Sequence, residues 1–361
     1  MRILQISNND FNSETEIGQR YSPLHFGYHE LKDMGYDVEL LYPNEVRGRF
    51  LYKIFGNHIN DILLQLRCIG KSKDYDMIYY PIDRHCILLA LIRKFKLIKC
   101  PIVMLCHFSL NTKYVDSKIK KVYKFIERFL VFRYFDKIVF PCENLMKFAV
   151  EKAPKGTEFG VAHWGADYRW YSEFRNQSSK CEYYMGCGGT NRDYKTLIEA
   201  VNDTSIKVRI YTSRSHIDRL MELNPSENII FIEAKGNHRK EILREGYSNA
   251  KAVLIPINKI NDVPNGATVL VESLASGKPI LISDLVTNFI DVKQEKVGIT
   301  TKLHDSGSWK EALLKLENTP ELLDLYSQNA LDLSKSKYNM SQFAAEISVY
   351  FNSVVNKYNS V

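Results

Sequence analysis

The sequence has no run near the roughly 18 apolar residues that a membrane-spanning helix needs, so an integral helical membrane protein is not expected. Its amino terminus, "MRILQISNND", lacks the long apolar core and small-residue cleavage site of a secretory leader. It reads as a first strand, and the expected location is cytoplasmic. Cysteine pairs are missing too. The seven cysteines are odd in number and form no C-x-x-C. That argues against a disulfide framework or a zinc site and for reduced core residues. No short-period repeat and no low-complexity segment is present. What remains, 45% hydrophobic and 25% charged, is the composition of an ordinary globular protein.

At 361 residues the chain is long enough for two domains. Its charge is uneven. The first 160 residues carry 25 Lys/Arg against 18 Asp/Glu, which accounts for the whole net charge of +7. That half is the one expected to meet something anionic.

Strand and helix patterns alternate along the chain, which predicts parallel sheets covered on both faces. In the first half the strands are "RILQIS", "DVELLYP", "DMIYYP", "PIVMLCHF" and "DKIVFP". Helices fall at "YSPLHFGYHELKDMG", "RHCILLALIRKFKLI", "VDSKIKKVYKFIERFLVFRYF" and "ENLMKFAVEKA". An aperiodic stretch around 155–182 reads as a linker. A second series then runs from "YYMGCGG" through "IKVRIYT", "NIIFIE", "AVLIPI" and "KPILISD", with helices between, and ends in a helical tail. The expected architecture is α/β with two Rossmann-like domains facing a central cleft. These are a first domain at 1–160, a linker at 161–180 and a second domain at 181–340. A final helix at 341–361 would be able to pack back on the first domain.

Two turns in the second half can receive an anion. In "GCGGTNRDYKTLIEA", glycines follow a strand and precede a helix, so backbone N–H groups and the helix N-terminus favour negative charge. Gly188 and Gly189 form the turn, Thr190 and Asn191 offer side-chain donors, and Arg192 offers a guanidinium fork. A tight turn with a surface arginine would account for the same residues, and the third glycine of the dinucleotide fingerprint is missing. In "PNGATVLVESLASGKP", Asn265 and Gly266 leave a strand and Ala267 and Thr268 enter a helix. Glu272 lies one helical turn beyond Thr268 on the same face. A carboxylate there suits a pair of vicinal hydroxyls rather than a phosphate. Diphosphate donors followed by a diol acceptor describe a nucleotide.

The segments "CGGTNRDYKTLIEA", "NGATVLVESLASGKPILISD" and "AHWGADYRWY" resemble the donor domain of retaining GT-B nucleotide-sugar glycosyltransferases, of the glycosyltransferase family 4 type. The resemblance covers nearly the whole chain and is specific only in the second half. It implies that Glu272 binds the ribose and that Gly266, Ala267, Thr268, Arg192 and the "CGG" turn bind the diphosphate. It implies that His107, at the end of "VMLCHF", contacts the donor sugar, and that Gly18 stands in for a glycine of the cleft-lining loop. One position departs from the pattern. The first glutamate of the family's Glu-x7-Glu motif falls on Pro264, and Asp262 is the nearest acid. His107 and Asp262 are therefore the catalytic candidates.

Activity is then expected to be sugar transfer from a nucleotide-diphosphate donor, UDP-sugar before GDP-sugar, to a glycan or lipid-linked acceptor in bacterial surface polysaccharide assembly. By resemblance it retains configuration and uses no cofactor and no metal. A nucleotide-sugar epimerase or hydrolase, or a silent binding subunit, are the alternatives. His25 and His29 have a spacing that can hold a metal on a helix, but no second acidic pair accompanies them. The basic stretch 118–135, with interleaved aromatics, fits an anionic membrane surface. A core helix with a solvated basic face fits it as well. No nucleic-acid motif is present.

Overall fold

The computed structural model describes residues 1–7, 23–42, 58–81, 86–107, 115, 117–150, 153–154, 156–173, 181–235, 239–260, 264–285 and 289–360. Gly18 and Asp262 lie outside the described residues. Two compact units meet in sequence at His163–Trp164 and again at Met340–Ser341.

The first unit is a six-stranded parallel sheet in the order β2-β1-β3-β4-β5-β6. Its strands are β1 (Arg2–Ile6), β2 (Asp37–Leu41), β3 (Met77–Tyr80), β4 (Ile102–Leu105), β5 (Lys137–Phe140) and β6 (Phe159–Val161). The helices are α1 (Tyr28–Asp33), α2 (His58–Lys71), α3 (Ile87–Lys94), α4 (Lys118–Tyr134) and α5 (Glu143–Val150). The central strands are buried along their whole length, as expected of strands covered on both faces. Three features of the unit were not expected, the first being α2, which falls where no helix was read. β6 forms inside the stretch read as linker. The helix expected over 21–35 is broken: a 3-10 turn at Pro23–His25 is followed by left-handed Phe26 (φ 52°) and Gly27 (φ 82°), and only then by α1. A Cβ on Gly27 would come within 3.3 Å of the Phe343 ring, so the break is also a close approach.

The second unit is also a six-stranded parallel sheet, in the order β12-β11-β10-β7-β8-β9. Here α6 (Tyr168–Ser172) precedes β7 (Tyr183–Cys187), α7 (Tyr194–Val201), β8 (Val208–Thr212), α8 (Arg214–Met221) and β9 (Ile229–Glu233). Then follow α9 (Arg239–Asn249), β10 (Ala250–Ile255), α10 (Ala267–Ala275), β11 (Ile280–Ser283), β12 (Gly298–Thr301), α11 (Ser306–Asn318) and α12 (Pro320–Ser336). Its core joins α7 and α11 to the sheet through Leu197, Val201, Ile210, Leu254, Trp309 and Leu313. Connections from β7 run to one side of the sheet and those from β10 to the other. The adjacent pair β7 and β10 is therefore the topological switch point, where open α/β sheets leave a crevice at the carboxyl ends of their strands.

The last helix, α13 (Met340–Asn359), belongs from Ser341 onward to the first unit. Tyr350 Oη accepts from the Val161 N–H and donates to the Val161 carbonyl, both at 3.1 Å. This closes the β6 edge. His163 stands between Glu143 (Nε2 to Oε1, 2.7 Å) and Glu346 (Nδ1 to Oε2, 2.9 Å). Burial works against its charge, but the two carboxylates prevail and raise its pKa to about 9.

Candidate functional site

Both glycine turns leave the switch-point strands. After β7, Gly188 takes φ 89°, and its N–H donates to the Tyr211 carbonyl at 3.0 Å. The Tyr194 hydroxyl donates to the Gly188 carbonyl at 2.7 Å and holds the turn from below. After β10, Gly266 takes φ 81° and becomes the N-cap of α10. A Cβ on Gly266 would lie 2.6 Å from Ile255 Cγ2, so the position needs glycine both for its left-handed backbone and for room.

Arg192 ties the two turns together. Its Nε donates to the Cys187 carbonyl at 3.1 Å and one terminal nitrogen to the Thr190 carbonyl at 3.1 Å. The other terminal nitrogen lies 3.3 Å from where a Gly188 Cβ would stand and 3.5 Å from where a Gly266 Cβ would stand. The guanidinium thus sits between two side-chain-free turns. A backbone bridge between Arg192 and Ile257 joins the same loops. Asn191, left-handed at φ 54°, clasps Lys259. Its amide donates to the Lys259 carbonyl at 2.8 Å and its oxygen accepts the Lys259 N–H at 3.2 Å. Its side chain is thus a loop clasp that uses one of its two amide donors. Thr190 is exposed at the tip of the turn.

The helices after the two turns differ at their N-termini. Asp193 caps α7, accepting from the Thr196 N–H at 3.2 Å and the Thr196 hydroxyl at 2.6 Å. His304 Nδ1 lies 2.8 Å from the same carboxylate. A carboxylate already occupies that positive helix end. α10 has a glycine N-cap and no side-chain cap bond. With the Ala267 N–H used inside the turn, the first-turn amides of Thr268 and Val269 are the ones able to receive an added anion. The described end of the β10 loop, Pro264, accepts the Ala267 N–H at 3.2 Å and shapes that turn.

Glu272 lies four residues on from Thr268, about 6 Å along α10. The Tyr247 hydroxyl donates to its Oε2 at 2.8 Å, and Tyr171 also hydrogen-bonds to it. Burial raises its pKa. The tyrosine hydrogen bonds and the charges of Arg239 and Lys240 oppose the rise. The two tyrosine rings meet edge to face at 5.9 Å. Two hydroxyls use about half of a carboxylate's acceptor positions and leave the rest for a diol.

His107 stands in the first unit, just past the carboxyl end of β4. Its ring packs on Phe26 at 4.9 Å between centroids. Burial lowers its pKa to about 4, against a hydrogen bond to the Pro81 backbone. It is neutral at pH 7 and a weak base, suited to hydrogen bonding rather than proton uptake. His25 and His29 lie 5.2 Å apart between ring centroids but on either side of the break at Phe26–Gly27, so they do not share one helix. Among the described residues no group of three His, Cys, Asp or Glu is placed to hold a metal.

The sequence reading missed Tyr171, Tyr247 and Asp193, and also His216. A Cβ on Gly189 would fall 2.6 Å from the His216 ring, and His216 Nδ1 lies 2.8 Å from Ser213 Oγ. Asp193 had a local signal, an acid just before an apolar helical run. The other three meet the site only through tertiary packing.

No protein-family model matches the chain, and no curated protein matches it. Among solved structures, a sucrose-phosphate synthase from Thermosynechococcus elongatus is similar at TM-score 0.74 and 13% identity, over 99% of each chain. HepE from Anabaena, solved in complex with UDP, is similar at TM-score 0.70 and 12% identity, over 98% of this chain and all of the other. WaaG, a glycosyltransferase involved in lipopolysaccharide biosynthesis, is similar at TM-score 0.61 and 12% identity, over 96% and 99%. The chain has the two-domain α/β GT-B fold of these structures.

Proposed function

We propose that this protein is a GT-B glycosyltransferase that moves a sugar from a UDP-sugar to an acceptor hydroxyl. The observation that carries the reading is the arrangement at the β7–β10 switch point. There Arg192 lies between two left-handed glycine turns, beside the uncapped start of α10, with the Glu272 carboxylate one helical turn further on. Nucleotide diphosphate is the ligand this order of groups suits. Fold and site together favour the transferase reading, and HepE was also solved with UDP-glucose.

In the proposed reaction the bond from the anomeric carbon to the diphosphate oxygen breaks as the bond to the acceptor oxygen forms. The acceptor proton leaves with a phosphate oxygen. Arg192 and the first-turn amides of α10 stabilise the charge gathering on the departing diphosphate, and Glu272 orients the ribose. Neutral His107 hydrogen-bonds the donor sugar. The reaction retains configuration and needs no metal. The acceptor is a glycan or lipid-linked glycan in bacterial surface polysaccharide assembly, met at the inner face of the plasma membrane.

Calorimetry of the full-length protein with UDP, GDP and pyrophosphate, followed by donor consumption with an acceptor panel, tests this. UDP is expected to bind more tightly than GDP, and UDP-sugar to be consumed only with acceptor. Consumption of donor alone would replace transfer by hydrolysis or epimerisation. Binding without turnover across the panel would make the chain a nucleotide-sugar-binding subunit. Failure of UDP to bind would overturn the site.

A further inference from the structure

The amino-terminal half of α4 stands out from the first unit with its apolar side uncovered. Ile119 is 83% exposed and Phe125 65%, and Val122, Tyr123, Ile126 and Phe129 are exposed as well. At 100° per residue these six span an arc of about 160° on the helix. Lys118 lies within that arc, Lys121 and Lys120 lie about 40° and 60° beyond its two edges, and Lys124 is on the opposite face. The packed side of the helix includes Glu127, which accepts the Cys86 N–H at 3.0 Å, and Arg128, which donates to the Ala149 carbonyl at 3.0 Å. A helix needed only for the core would not carry phenylalanine and isoleucine on its outer turns.

The carboxyl end of α4 adjoins a second basic and apolar feature. Past α3, the turn "KFKLIK" exposes Phe95 (68%) and Leu97 (52%) between Lys94, Lys96 and Lys99. Together with Arg133 of α4 these lysines line an open cavity of ≈ 560 Å³. The one acid in its lining, Asp136, is engaged by Arg93 at 3.1 and 3.3 Å and by the Ile102 N–H at 2.8 Å. Four cations therefore face the cavity with no carboxylate left to balance them.

We propose that α4 and the 94–99 turn form one docking face for an anionic phospholipid bilayer. The exposed side chains of α4, with Phe95 and Leu97, enter the interfacial region, and the Lys94–Lys96–Lys99–Arg133 cavity takes a headgroup phosphate. This deepens the membrane-surface part of the proposed function and rests on it. Mixed apolar and basic character selects this occupant. A second copy of the same face would bring like charges together, and a nucleic acid would have no use for the apolar arc.

The test is flotation of the full-length protein with vesicles of phosphatidylcholine alone and of phosphatidylcholine with phosphatidylglycerol, at low and high salt. Recovery is expected only with the anionic vesicles and is expected to fall with salt. The variant Ile119→Ser/Phe125→Ser should bind about tenfold more weakly or worse. The variant Lys94→Gln/Lys96→Gln/Lys99→Gln should lose roughly 100-fold, from about fivefold per lysine. Phosphate selectivity is read by competition, with soluble glycerophosphoglycerol displacing the protein at lower concentration than inorganic phosphate. All five positions are exposed, so UDP binding by calorimetry should match the wild type and reports folding. Equal recovery on neutral vesicles, no recovery on either, or undiminished binding by the α4 variant would overturn the docking face. So would a dimer in gel filtration that Ile119→Ser/Phe125→Ser dissociates. UDP binding that survives such a failure leaves the transferase reading standing. Membrane binding without UDP binding would do the reverse.

Discussion

Replacing Glu272 by Gln removes a charge and keeps the shape of the side chain, so it separates what the carboxylate does for a ligand from what it does for the fold. Burial raises the Glu272 pKa in the folded protein above its unfolded value. The folded state therefore holds this proton more tightly than the unfolded chain. Stability from this group is greatest at low pH and falls as pH rises through the window between the two pKa values. Glu272→Gln is expected to raise the melting temperature of the ligand-free protein at pH 7, since a Gln carbonyl can still accept from a tyrosine hydroxyl. Ligand binding should move the opposite way. Hydrogen bonds to a charged acceptor contribute about 1.5–3 kcal/mol. The variant should thus lose about tenfold to one hundredfold in UDP affinity. Pyrophosphate, which has no diol, should bind as before. Wild-type UDP affinity should also weaken on acidification at a pH above the ordinary glutamate value of about 4.3, and the variant should lack that dependence. Calorimetry with UDP and pyrophosphate across pH reads all of this. Unchanged UDP affinity, or an equal loss for both ligands, would refute the diol-acceptor role.

Arg192→Ala should weaken UDP by at least about tenfold through lost charge-assisted bonds, while uridine affinity, measured in parallel, stays close to that of the wild type. Gly266→Ala forces a Cβ to 2.6 Å from Ile255 Cγ2 at φ 81°. It should cost about 2 kcal/mol or more in denaturant unfolding and lower UDP affinity with it. Asp193→Ala removes the α7 cap and should cost about 1 kcal/mol by the same assay. The folded pKa of His163 is raised to about 9. Its stabilising contribution is then fully present below the unfolded value near 6.5 and is lost as pH rises through about 9. A melting temperature that falls between pH 7 and pH 10 in the wild type, and falls less in His163→Asn, is the expected result.

Much of the fold was legible because its strands are short apolar runs between helical periods, a pattern set by local chemistry. β6 (Phe-Gly-Val) and β12 (Gly-Ile-Thr-Thr) escaped because neither holds the continuous apolar run that marks the similarly short central strands. The α1 region misled because its hydrophobic spacing continues across Phe26 and Gly27, where the backbone is left-handed and the Phe343 ring leaves little room for a side chain on Gly27. In the site, Gly188, Arg192, Gly266 and Glu272 were readable as residue types at meaningful spacing. Asn191 was readable as a donor, yet its partner Lys259 lies 68 residues away.

By itself the sequence determined the alternating α/β plan, the two glycine turns, the carboxylate one turn beyond the second and the basic, aromatic-rich helix. Each of these depends on neighbours within a few positions. Only the tertiary structure decided that β7 and β10 are adjacent, so that both turns meet at one switch point with Arg192 between them. Only the tertiary structure showed that Tyr171 and Tyr247 hold Glu272. It also showed that the apolar side of α4 is left uncovered. Those facts depend on strand order and long-range packing, in which the partners are tens of residues apart and no local pattern records the pairing.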